Sequence, residues 1–106
     1  MSSTEKVVLH RFRELVSRRL AIHQLLLFGS RARGDSTSES DMDLLLVVAG
    51  PVDAGVEDYV SDCAWEAGFE HGIVVVPVTV SREEWERGPL SSSLLALAVE
   101  RDGIAA

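Results

Sequence analysis

Leu27-Phe28-Gly29-Ser30-Arg31-Ala32-Arg33-Gly34, followed after a short polar stretch by Ser40-Asp41-Met42-Asp43-Leu44-Leu45-Leu46-Val47-Val48, decides how this 106-residue chain is read. The run from Leu44 to Val48 is apolar without alternation, the pattern of a strand buried on both faces. A second apolar run, His23 to Phe28, stops abruptly at Gly29. Residues i and i+2 of a strand project from one face, so Asp41 and Asp43 point together at one place. Two ionised carboxylates there repel each other unless a cation intervenes. Their oxygens are hard ligands, suited to magnesium or manganese.

Upstream, the missing side chain of Gly29 lets backbone N–H groups approach an anion closely. A short helix opening at Ser30 turns its free N–H groups and positive end towards that anion, with the Ser30 hydroxyl as a further donor. Arg31 and Arg33 bring guanidinium groups to the same neighbourhood, each able to grip a phosphate oxygen in bidentate fashion. Taken singly, a Gly-Ser pair is an ordinary turn and an Asp-x-Asp an ordinary cap or strand edge. Strand, Gly-Ser, ten intervening residues, Asp-x-Asp and a second buried strand in succession select the site reading. Gly29, Ser30, Arg31 and Arg33 are then expected to bind a nucleoside triphosphate, and Asp41 and Asp43 to hold the metal and carry the chemistry.

This pattern, Gly-Ser-x10-Asp-x-Asp at Gly29, Ser30, Asp41 and Asp43, resembles that of the polymerase-β-like nucleotidyltransferases, and within them the minimal nucleotidyltransferases of bacteria and archaea. The resemblance covers nearly the whole chain. It implies an α/β (α+β) fold with a small mixed sheet and helices packed mainly on one face. It also implies Ser30 at the β/γ-phosphates, Asp41 and Asp43 on two Mg2+ (or Mn2+) ions, and ATP as the nucleotide substrate. The implied reaction is in-line transfer of AMP to a hydroxyl, with release of pyrophosphate. Minimal members commonly work beside a small helical HEPN protein, as the antitoxin of a toxin-antitoxin pair, and can transfer AMP to a tyrosine of the toxin. The resemblance therefore implies a HEPN-type partner.

One departure stands out. Active members of the family usually carry a third carboxylate on a later strand, and here that strand, Ile73-Val74-Val75-Val76-Pro77-Val78-Thr79-Val80, has no acid. The expected position falls at Val76, within a residue or two; Glu70 and His71, just before the strand, are the substitutes to inspect. Two further readings follow: a non-catalytic partner-binding module of the same fold, favoured by the missing acid, and a small-molecule transferase of the aminoglycoside type. The last needs an acceptor pocket, which a homodimer would provide.

Composition sets the outer bounds. A chain of this length is expected to form one domain, residues 1–106, and 46% hydrophobic with 25% charged residues is an ordinary globular balance. No apolar run approaches a bilayer span and the first residues show no secretory pattern, so the expected location is cytoplasmic. A net charge of -7 disfavours a general nucleic-acid binder, and Arg11, Arg13, Arg18 and Arg19 are expected to decorate the solvent face of the first helix. Cys63 stands alone and at helical spacing with Val60, Ala64 and Ala67, as a buried, inert thiol would. Trp65 and Trp85 are expected at the core edge. His10 and His23 lack a second ligand at metal spacing.

The predicted order is α-β-α-β-α-β-α-α. The first helix is capped by Ser2 with Glu5 as box partner, another runs from about Asp53 to Ala67, and a short one is opened by Ser81 with Glu84. The last is expected from Pro89 to Arg101, with Leu94, Leu95, Leu97, Ala98 and Val99 as its apolar residues and Gly103 as its stop. Pro77 marks the third strand as an edge or a bulge.

Overall fold

Ser2 and Glu5 close the reciprocal cap that their spacing predicts: the Glu5 N–H donates to Ser2 Oγ at 3.1 Å and the Ser2 N–H to Glu5 Oε1 at 2.7 Å. The first helix, α1 (Ser3–Ser17), starts there. In the computed structural model, which describes residues 1–37, 39–89 and 93–106, α1 is followed by β1 (Ile22–Phe28), α2 (Ser30–Arg33) and β2 (Met42–Val48). Then come α3 (Ala54–Phe69), β3 (Val75–Ser81), α4 (Arg82–Arg87), α5 (Leu94–Asp102) and β4 (Ile104–Ala105).

The strands form one open mixed sheet in the order β3-β2-β1-β4. β1 runs antiparallel to both of its neighbours, whereas β2 and β3 are parallel and α3 makes the crossover that a parallel pair requires. The two faces explain the unbroken apolar run of β2. Leu44, Leu46 and Val48, with Leu25 and Leu27 of β1, pack under α1 and α3. Leu45 and Val47 point the other way, into a smaller cluster with Val80 of β3 and Val99 of α5, edged by Leu26, Phe28, Trp85 and Leu95. The long helices thus share one face, as expected, and the short α4 and α5 cover part of the other.

Pro77 lies on an edge strand. The Val74 carbonyl accepts from the Met42 N–H at 2.8 Å, so alternate residues from Val74 turn their backbone groups to β2. The Pro77 nitrogen therefore faces the open edge, where no ladder bond is lost.

Two expectations are corrected at this level. The last helix starts at Leu94, where the Ser93 hydroxyl accepts from the Ala96 N–H at 3.2 Å; of the stretch expected before it, residues 90–92 lie outside the described residues. Of its apolar residues, Val99 is buried, Leu95 packs beside it and Leu94 is 85% exposed. Trp85 packs half-buried as indole usually does, whereas Trp65 is 66% exposed and stacked on Phe69 at 4.5 Å between ring centroids. β4 was not foreseen; two residues pairing with Leu26 and Leu27 are too few to leave a periodic signal.

Candidate functional site

β1 and β2 are joined so that the two halves of the motif meet. Phe28, the last residue of β1, is paired with Asp43 near the start of β2. The next residue, Gly29, has φ 78, a backbone conformation that side chains disfavour. It also lies directly against the Asp43 carboxylate, where any Cβ would collide with Oδ2. The positive φ calls for glycine here, and any larger residue would also displace the Asp43 carboxylate.

Asp43 is half-buried and Asp41, one residue ahead of β2, is exposed. Asp43 alternates with Leu44 and so shares a face with Leu45 and Val47, the side away from α1 and α3. Burial pushes the Asp43 carboxyl above its usual range, the Asp41 charge pushes it further, and Arg33 pulls it partly back. Two acids converging with too little compensating charge suit a hard divalent cation, which would relieve the electrostatic part of that strain. Among the described residues no group of three or more His, Cys, Asp or Glu forms a metal cluster. The protein's share of any such site is two carboxylates, with the remaining positions open to phosphate oxygens and water.

α2 opens at Ser30 with Gly29 as its N-cap. The Ala32 and Arg33 N–H groups return to the Gly29 carbonyl, both at 3.1 Å, which leaves those of Ser30 and Arg31 without an acceptor in the helix. The Ser30 hydroxyl makes no hydrogen bond to a described residue. A single turn carries little macrodipole, so the donors themselves are what this corner offers an anion.

Arg31 departs from its expected role. Its Nε and Nη2 donate to the Ser40 carbonyl at 3.0 and 2.7 Å, and its Nη1 to Glu5 Oε2 at 3.1 Å. The Arg31 and Glu5 side chains are only 7% and 9% exposed. The guanidinium is engaged by these partners and braces the residue before Asp41 against the first turn of α1. Burial alone would raise the Glu5 carboxyl, but the Ser2 N–H and Arg31 outweigh it and hold the group below its usual range. Sequence marked Glu5 only as a cap, since nothing local announces a partner so far along the chain.

Arg33 stays beside the acids. Its side chain is 42% exposed, with Nε 3.3 Å from Asp35 Oδ2 and Nη1 3.4 Å from Asp102 Oδ2 at the end of α5. The pair with Asp35, 62% exposed, is solvated and weak, whereas the Asp102 side chain is only 10% exposed and is held by Arg101 as well, at 3.1 Å.

Val76 is in register with Asp43 on β3 and 38% exposed. The place beside the acid pair is thus apolar. Glu70 and His71 do not replace the missing acid, because they line a separate cavity with Val7 and Arg11 of α1, on the opposite side of the sheet.

Similarity to known proteins agrees with this geometry. The sequence profile described as Nucleotidyltransferase domain matches residues 9–103. A Methanocaldococcus jannaschii protein, provisionally named a protein adenylyltransferase, is 44% identical over 62 residues, which are 58% of this chain and 57% of that one. The match therefore spans little more than half of that relative. Among solved structures, a toxin-antitoxin complex with AMP-PNP superposes with TM-score 0.64 at 19% identity, covering 98% of this chain and 72% of that chain. A complex of a tri-AMPylated Shewanella oneidensis HEPN toxin with its MNT antitoxin gives TM-score 0.56 at 16% identity, covering 96% and 70%. Likeness at these identities is likeness of fold.

Proposed function

Because the chain belongs to the nucleotidyltransferase domain family, we propose that it transfers AMP from ATP to a hydroxyl of a partner protein of the HEPN type, with Mg2+ held by Asp41 and Asp43. The observation that carries this reading is the Asp43 carboxylate seated against Gly29, with Asp41 beside it and Ser30 opening α2 next door. That the adenylyltransferase-named relative shares 44% identity supports AMP as the transferred group. The toxin-antitoxin complexes of the same fold, one with a HEPN toxin, support a HEPN-type protein partner. We read residues 1–106 as one domain acting in the cytoplasm; no described helix is long and apolar enough to cross a membrane.

The backbone N–H groups of Ser30 and Arg31 and the Ser30 hydroxyl hold the terminal phosphates, and Arg33 exchanges Asp35 for phosphate oxygen. Arg31 takes a positioning role. Asp41 and Asp43 would hold the divalent cation, which when bound would supply charge neutralisation at the triphosphate and activation of the acceptor hydroxyl. The acceptor oxygen bonds to the α-phosphorus, the bond to the bridging oxygen breaks, and pyrophosphate leaves. Val76 offers no base beside the pair, so the acceptor's proton leaves to Asp43 or to water.

The same Val76 favours a second reading, a partner-binding module without turnover. Intact mass of the partner separates the two after incubation with this protein, ATP and Mg2+. A gain of one AMP, absent with Asp41→Asn/Asp43→Asn, is the result expected of the enzyme. An unchanged mass with a stable complex would assign the chain to the module.

A further inference from the structure

Trp65 and Phe69 lie one turn apart on the outer side of α3, 66% and 65% exposed and stacked with their ring planes 20° apart. With Ala64, Gly68, Ile73, Val74, Val75 and Pro77 they line an apolar groove of about 450 Å³ along the β3 edge. Exposing a stacked Trp-Phe pair costs solvation that a chain gains nothing from unless something covers it. We propose that this groove is the docking surface for the acceptor protein, a partner that presents apolar side chains flanked by lysine or arginine. The inference rests on the protein-acceptor reading given above.

Three observations select this occupant. Asp58, Asp62, Glu66 and Glu70, all exposed, follow one another at four-residue spacing on α3 and form an acidic ridge beside the aromatic one. Only Glu66 among them pairs with a cation, Arg11 at 3.4 Å, in a solvated contact. A partner with a basic rim is therefore favoured. A second copy carries the same ridge and the same charge of -7, so self-association brings like charges together. Strand addition is also disfavoured, since the Pro77 nitrogen faces the open edge and offers no donor. Finally, the groove leads to the site: Val74, 62% exposed, lines it, and Val76, on the same side of β3, is in register with Asp43. A protein that covers Trp65 and Phe69 and wraps over the β3 edge at Val74 reaches the face on which Asp43 lies.

The test is calorimetric titration of this protein with a purified HEPN-type toxin as the proposed acceptor, alongside Trp65→Ala/Phe69→Ala. Alanine suits a helix surface, and unchanged Mg-ATP binding by the variant checks its fold. The proposal expects wild-type binding that weakens with salt, and a loss of roughly 30-fold or more in the variant, as for removal of aromatic anchors. Equal binding by both proteins would overturn the docking surface and leave the protein-acceptor reading standing. No binding by the wild type would overturn both. A wild-type dimer in sedimentation that the variant disperses would overturn the proposal in favour of a second copy.

Discussion

Asp43 is where sequence, packing and chemistry meet. Its carboxyl is raised because the fold half-buries it and sets Asp41 beside it. A carboxyl raised on folding favours the folded state when protonated, and that contribution is lost as pH rises through the raised value. Asp43→Asn removes the charge, so the metal-free variant is expected to melt above the wild type at pH 7, the gap closing below about pH 4, where the unfolded carboxyl also protonates. Melting curves from pH 4 to 8 check this; a variant less stable at pH 7 would contradict it. Arg31 works in the opposite direction. Arg31→Met leaves Glu5 buried without its cation and the Ser40 carbonyl without its donors, an uncompensated charge that costs about 3 to 5 kcal/mol. Urea unfolding should show that loss, and a loss under about 1 kcal/mol would mean that Glu5 finds water instead.

At the scale of elements, β2 and β3 set the site's limits. The unbroken apolar run of β2 was legible because burial on both faces removes the polar alternation, and Gly29-Ser30 and Asp41-x-Asp43 were legible because each needs a particular residue type. Other features were not. Arg31 carries the same chemistry whether it meets phosphate or Glu5, and only the packing of α1 against α2 decides. Trp65 lies at helical spacing with residues that are buried, yet it sits one step beyond the stripe that faces the sheet. β4 is two residues held by register alone. Val76, the residue expected nearest the missing acid, is the one in register with Asp43. Val76→Asp is expected to add a third carboxylate there and to raise Mn2+ affinity about tenfold or more, the scale on which a charged ligand matters. Unchanged affinity would mean that the 76 side chain does not reach the cation.

For the molecule as a whole, the sheet divides the labour. One face is spent on the core under α1 and α3; the other carries Asp43 at its margin, with α4 and α5 covering only part of it. These 106 residues leave one open corner beside Gly29 and Asp43, where the proposed partner protein would bring the acceptor hydroxyl. The central claim is that this corner binds a nucleoside triphosphate through a cation held by Asp41 and Asp43. Titration of Mg-ATP into the wild type and into Asp41→Asn/Asp43→Asn, at one ionic strength, tests it most directly. Saturable binding to the wild type that is lost in the double variant is the predicted result, and equal binding by the two proteins, or none by the wild type, would contradict it.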